Sequence, residues 1–418
     1  MRGEIITIGD ELLSGKTLDL NARYAAERLT ASGLHVERIT SVGDDHDALE
    51  EAINNALRNS LFIIATGGLG STKDDITNQI VAKTIGRPLK INEKMNEKIE
   101  RLAKKMGKGM TRSLEKMATM PEGSKMLDPS GNTCGYSLLL GECQLFFLPG
   151  VPEQMRYMVD KFVLPEILSK YDSLPVVKQR LLKVYGINEP EIAEIFQNVN
   201  YNSSKVLLGF YPKFPENHIT IRIHGGNEYD ASRELDRIES EIIGRLGHYV
   251  FAKDDKTIEG IVGGLLVSRN MTLSVAESCT GGLIGQRLTD VPGSSEYFEG
   301  GVIVYSNAAK TKLLEVKPST LKSYGAVSEQ TVEEMASGIK EKMKTSLGLA
   351  VTGIAGPSGG TKKKPVGTVC IGLASRDATI SKEYRFRGSR NQIRLNASAM
   401  ALDWIRRYLH GYPFISSV

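Results

Sequence analysis

Cysteine and histidine are scarce in this chain, with 4 and 6 copies among 418 residues. Cys134, Cys143, Cys279 and Cys370 form no C-x-x-C pair, and no histidine lies at zinc-finger spacing from them. That argues against a disulfide framework and against a structural zinc site, and the four read as free thiols in a reducing compartment. An excess of one charge is missing too. The 53 Lys and Arg face 49 Asp and Glu, for a net charge of +4, which argues against a nucleic-acid coat and against direct nucleic-acid binding. Runs such as SLFIIATGGLG are far too short to span a bilayer, so no membrane partner is expected. The start, MRGEIITIGDELL, lacks a basic region followed by an apolar core, and a cytoplasmic location is therefore expected.

What is present suggests about three domains of roughly 150 residues each. From residue 3 to 86 strand-like and helix-like segments alternate: EIITIG, NARYAAERLTASG, HVERITSVG, HDALEEAINNAL, SLFIIATGG and DDITNQIVAKTIG. This alternation predicts a parallel sheet with helices on both faces. Ligands of such sheets sit at the carboxyl ends of the strands, where Gly9-Asp10-Glu11, Gly43-Asp44-Asp45 and Gly67-Gly68-Leu69-Gly70 fall. Residues 93 to 117 read as one solvated helix with methionine on its buried side. Residues 176 to 252 read as a small α+β unit. It shows no G-x-x-G loop between helical patterns, and it is expected to act as a spacer. AKDDKTIEG, ending at Gly260, marks the next boundary, and the tail GYPFISSV reads as peripheral.

Two places carry chemistry. In SVAESCTGGLIGQRLTD a short apolar run ends in small and hydroxyl residues and opens a helix. That arrangement suits a nucleophile beside an oxyanion hole. Ser278 is the expected nucleophile and Lys310 the general base, with Tyr305 as a proton relay or orienting group. The amides of Thr280, Gly281 and Gly282 are the expected oxyanion donors. Cys279 shares the turn and joins the expected oxyanion and substrate-binding set, but no histidine is near in sequence to form a thiolate pair. Thr352 and Gly353 are the expected second wall. Arg387, Arg390 and Arg394 cluster at a strand–helix junction and suit phosphate. In TGGLGSTKDDIT, Gly67, Gly68 and Gly70 with Ser71 and Thr72 suit phosphate oxygens. Asp44, Asp74 and Asp75 suit a hard divalent ion, with Glu153 as a further acid of the same cleft. No G-K-[ST] follows, so this is not a Walker A loop.

ESCTGG, YSNAAK, GAVSEQT, TGIAGPSGG and KPVGTV, in this order, resemble the signature series of the CinA C-terminal family. GDELLSG, VGDD, TGGLGSTKDDIT and LPGVPEQM resemble the N-terminal domain of the same family, which is similar to molybdopterin-binding domains. The resemblance implies an α/β chain in three parts. These are a molybdopterin-binding-like α/β domain over 1–170, a KH-like α+β linker over 176–252, and an α/β amidohydrolase domain over 255–412. It implies hydrolysis of the carboxamide of nicotinamide mononucleotide, without a cofactor, at Ser278, Tyr305 and Lys310. Asn307 joins the substrate-binding set and Arg390 takes the phosphate. The N-terminal domain is expected to cleave ADP-ribose at the pyrophosphate with a divalent cation such as magnesium, a monovalent cation such as potassium being a further candidate. A homodimer is expected. The chain departs from the family at Cys134, in Gly131-Asn132-Thr133-Cys134-Gly135-Tyr136, and at Ser71, where proline is common. Two other readings stand beside this one: an N-terminal domain that only binds a nucleotide or pterin, and a non-catalytic adaptor in DNA uptake or damage response.

Overall fold

A computed structural model describes residues 2–105, 107, 109–130, 133–170, 176–197, 199–202 and 204–415. Gly131 and Asn132 of the departing turn, and Ser416–Val418 of the tail, lie outside the described residues. The chain divides into two compact units. One holds Met1–Lys178 with His224–Ala231, and the other holds Gln179–Ile223 with Ser232–Val418.

The N-terminal sheet runs His35–Val42, Arg2–Ile8, Phe62–Thr66, Cys143–Leu148, Tyr136–Leu140, Lys125–Met126. Its first four strands pair in parallel, as the alternation up to residue 86 predicts, and the two strands beyond them add antiparallel pairs that make the whole sheet mixed. The cause is local. Gly141, at φ 58°, and Glu142 connect two strands too tightly for a helical crossover. The apolar run of Phe62–Thr66 is buried throughout, as a central parallel strand should be. One core lies on each face of the sheet: Ile6, Ile63, Leu145 and Phe147 on one, Ile5, Ile64 and Phe146 on the other. Residues 93 to 117 form two helices, Glu93–Lys105 and Arg112–Ala118, rather than one. Thr111 caps the second through Leu114 N–H and starts it afresh.

The linker is a four-stranded sheet, Val206–Lys213, Glu216–Gly225, Val176–Val184, Val250–Lys253, with helices Glu189–Gln197 and Glu228–Leu246. The C-terminal sheet runs Phe298–Ile303, Leu273–Glu277, Leu347–Gly353, Thr368–Ala374, Thr379–Arg385. Its first three strands are parallel and the last two antiparallel. Helix Glu329–Met343 covers one face, and helices Ile258–Ser268 and Arg390–His410 cover the other. The tail is not peripheral. Ile415 is buried, its carbonyl accepts from Tyr384, and Phe414 packs on Trp404. Among the described residues no helix is long and apolar enough to cross a membrane.

Candidate active site

In both α/β parts the strand order reverses beside a central parallel strand, and the turns after the two adjoining strands open a crevice there. In the C-terminal part those strands are Leu273–Glu277 and Leu347–Gly353. The first delivers Ser278, whose N–H donates to Val351 O at 3.0 Å. The second ends at Gly353, where a Cβ would stand 3.0 Å from Cys279 Sγ and 2.9 Å from Thr368 O. Only glycine lets the two turns approach this closely.

Lys310 comes from the next element. Ser306 caps the helix Asn307–Leu314, and Lys310, in its first turn, points back into the crevice. Its ammonium is 3.0 Å from Ser278 Oγ and donates to Val304 O at 2.8 Å and Tyr305 O at 3.4 Å. Lys310 is 1% exposed and Ser278 6% exposed. Burial lowers the Lys310 pKa from 10.5 to about 8, against a smaller opposing pull from Cys279. The buried thiol of Cys279 is pushed up to about 12, also by burial. The geometry therefore separates a hydroxyl with a base from a thiol without one.

The other expected residues fall in several roles. The Tyr305 hydroxyl does not meet Ser278 or Lys310. Tyr305 is 63% exposed, and its hydroxyl accepts from Arg390 Nη2 at 3.2 Å. Its contribution to Lys310 is its backbone carbonyl, so the expected proton relay is not formed. Arg390 also donates to Gly356 O at 2.7 Å and remains exposed. Arg394 is engaged inward, donating to Thr280 O from Nη2 at 2.7 Å and Nε at 3.3 Å. Arg387 is exposed, as is Asn307 at the first position of its helix. The Thr352 hydroxyl donates to Ala326 O and packs the wall from behind. Two expected oxyanion donors are already committed, because Gly281 N–H donates to Ser278 O and Gly282 N–H to Glu277. Glu277 is not among the residues that the sequence motifs single out. Its signal was an acid closing a fully buried strand whose other polar residue is Ser274.

In the N-terminal part a cleft of about 610 Å³ lies at the ends of Arg2–Ile8 and Phe62–Thr66. Gly9, Asp44, Gly67, Gly68, Gly70, Thr72, Asp74 and Asp75 are among its lining residues. Gly67, at φ 113°, sits where a Cβ would be 2.1 Å from Ile8 O. Ser71 and Glu153 do not line the cleft. Glu153 is exposed on the first turn of Pro152–Met158, and its neighbour Gln154 faces inward instead. Asp75 is turned onto its own loop, accepting from Thr72 N–H at 2.8 Å and the Thr72 hydroxyl at 2.7 Å. Burial raises the pKa of Asp44; the amide of Asp10 opposes that, and the carboxylates of Asp10, Glu11 and Asp74 add to it. Such mutual repulsion marks acids that lack a countercharge. Asp44, Asp74, Asp75 and Glu153 do not converge as one cage. Among the described residues the only such group within 4.8 Å is His46, Asp47 and Glu50, on the surface. The cleft acids still fit magnesium, which binds through one or two carboxylates plus substrate phosphates. Cys134 also lines the cleft, and burial raises its thiol pKa.

Fold and site together define a multidomain α/β protein with a buried Ser–Lys pair at one strand-order reversal and a glycine-lined acidic cleft at another. Residues 4–169 match the family profile described as "Probable molybdopterin binding domain". Residues 179–252 match "Damage-inducible protein CinA KH domain", and 255–409 match "CinA C-terminal domain". A CinA-like protein of Geotalea uraniireducens is 41% identical over 410 residues, covering 98% of each chain. Another, from Desulfotalea psychrophila, is 40% identical over 407 residues, covering 97% of this chain and 98% of its own. A solved structure of a competence damage-inducible protein A from Klebsiella pneumoniae is 33% identical, with a TM-score of 0.36. It covers 37% of this chain and 97% of its own. The chain belongs to the CinA family.

Proposed function

We propose that the C-terminal part hydrolyses the carboxamide of nicotinamide mononucleotide to nicotinic acid mononucleotide and ammonia, in recycling of pyridine nucleotides in the cytoplasm. The observation that carries this reading is the 3.0 Å contact between Lys310 Nζ and Ser278 Oγ inside a buried site. Neutral Lys310 takes the Ser278 proton as Oγ attacks the amide carbon, and the carbonyl electron pair moves onto oxygen. Collapse of that intermediate breaks the C–N bond, and Lys310 returns the proton to the leaving nitrogen, releasing ammonia. Water, deprotonated by Lys310, then attacks the acyl ester, and Ser278 Oγ leaves and recovers its proton. Arg390, exposed at the mouth, anchors the substrate phosphate. The test is ammonia release from nicotinamide mononucleotide by the wild-type chain, Ser278→Ala and Lys310→Ala. An active Ser278→Ala variant would sink the reading.

For the N-terminal part we propose cleavage of ADP-ribose at its pyrophosphate. The glycine-lined cleft and its unbalanced acids support this reading. Asp44 and Asp74 would hold the divalent cation, which would offset charge on the substrate phosphates. Gly67, Gly68 and Gly70 let the backbone approach those phosphates. AMP release should require added magnesium and be lost in Asp74→Asn. AMP release that persists in a chelator would remove the assignment, and a wild-type chain that binds ADP-ribose without cleaving it would favour a binding domain.

A further inference from the structure

The loop from Ser278 to Gly285 allows a full account of its backbone donors. Ser278 N–H goes to Val351 O, Gly281 N–H to Ser278 O and Leu283 N–H to Thr280 O. The Glu277 carboxylate accepts from Gly282 N–H at 2.9 Å, Ile284 N–H at 3.1 Å and Gly285 N–H at 2.8 Å. Thr280 N–H has no acceptor among the described residues, and Cys279 N–H has none there except its own thiol. The Thr280 hydroxyl is buried and also without a partner. The unspent polar groups of the loop thus fall on the two residues that follow the nucleophile.

Two side chains hold that state. Glu277 is 2% exposed, and its carboxylate is bound by three amides and, among the described residues, by no side chain. A buried carboxylate so satisfied is fixed in place, because moving it would strip a charge of its donors. It pins the loop on the far side of Gly281. Arg394 pins the near side through two N–H groups on Thr280 O. We infer that Glu277 and Arg394 are positioning residues of the reaction, clamping the loop so that the Cys279 and Thr280 amides remain open to receive the oxyanion. This rests on amide hydrolysis at Ser278. It reassigns Arg394 from substrate to scaffold and moves the oxyanion site one residue toward Ser278 from the amides first expected.

The test uses the full chain as Glu277→Gln, Glu277→Asp, Arg394→Lys and Arg394→Met, each checked for folding by its melting curve. Two rates are read: steady-state ammonia release, and covalent labelling of Ser278 by a fluorophosphonate. In the labelling reaction Oγ displaces fluoride, so it needs the nucleophile and its oxyanion donors but no natural substrate. Loss of a single oxyanion donor typically costs about 10²–10³-fold in kcat. We expect Glu277→Gln and Arg394→Met to lose at least about 10-fold in kcat and in labelling rate. KM and the midpoint of the pH profile should stay put, and Arg394→Lys should recover part of the loss. A scaffold role alone would lower the melting temperature and leave both rates of the folded protein intact, which would overturn the clamp. A wild-type chain that labels at Ser278 but releases no ammonia would refute the substrate, and the labelling rates would still decide the clamp. A wild-type chain that does neither would refute both.

Discussion

At the scale of the residue, one lysine sets the behaviour of the C-terminal site. Lys310 is buried with only neutral oxygen partners, so its protonated form is disfavoured and its pKa falls to about 8. Below that pH it is protonated and cannot accept the Ser278 proton. The expected kcat/KM for nicotinamide mononucleotide rises with pH and levels off above about pH 8. A flat profile from pH 6 to 9 would contradict Lys310 as base. Ser278→Ala and Lys310→Ala should each lose several orders of magnitude in kcat, and the double variant little more, because the pair acts as one unit. Cys279→Ser should keep most activity, since the thiol is held protonated. The same lysine is a cost to folding. Its folded pKa lies below its unfolded value of 10.5, so between about pH 8 and 10.5 the unfolded chain binds more protons and stability rises with pH. Below pH 8 the full penalty applies, roughly 3 kcal/mol by that shift. Lys310→Met, of similar shape and uncharged, is expected to be inactive yet to melt higher at pH 7. Urea titration at pH 7 and pH 10 checks this: the gain should shrink at the higher pH.

At the scale of the element, much of the site was legible because strand ends and helix starts leave local marks. Apolar runs ending in glycine and hydroxyl residues pointed to Ser278 and to the Gly67–Gly70 loop, and both lie at strand ends. The alternation of strand and helix up to residue 86 was legible for the same reason. What was not legible depends on direction and distance. The Tyr305 hydroxyl lies five residues from Lys310 but turns to Arg390, 85 positions away. Nothing in the local pattern signals a side chain that swings outward. The antiparallel hairpin Tyr136–Leu148 shares its apolar composition with a parallel strand pair. Glu277 looked like a strand end, and its carboxylate became informative only when the amides it binds were known. Asp75 carried the right chemistry for a metal but spends it on Thr72. Helix Arg390–His410 adds a prediction. Ser389 and Gln392 form a capping box, which sets the first turn that carries Arg390. Ser389→Ala should cost about 1 kcal/mol of stability. It should also raise KM more than it lowers kcat, because a frayed first turn loosens the phosphate anchor. An unchanged KM in steady-state assays would dissociate Arg390 from the phosphate.

At the scale of the whole molecule, the linker belongs physically with the C-terminal part. Tyr185, Phe251 and Ala252 lie in the same core as Trp404 and Ile405. The Tyr185 hydroxyl donates to Asn396 O at 3.3 Å. Ile415 lies against Gly186, where a Cβ would be 2.0 Å from its Cδ1. Arg406 and Arg407 are buried around Asp403, and both reach His248 O, at 2.7 Å and 3.4 Å. A fragment cut at residue 253 removes that carbonyl and uncovers the arginines and the aromatic core above them. Hydrogen bonds to charged groups contribute about 1.5–3 kcal/mol each. In a fragment of this size, each kcal/mol corresponds to about 2–4 °C in melting temperature. The fragment 253–418 should therefore melt at least about 5 °C below the fragment 179–418. The residues proposed to carry or position the reaction, Ser278, Lys310, Glu277 and Arg394, all lie after residue 270, so both fragments should release ammonia from nicotinamide mononucleotide with similar kcat below their melting points. Calorimetry with a coupled ammonia assay on the two fragments and the full chain checks both halves of the claim. Equal melting temperatures would mean that the linker contributes no stability. Activity confined to the full chain would mean that the C-terminal site is completed by residues before 179.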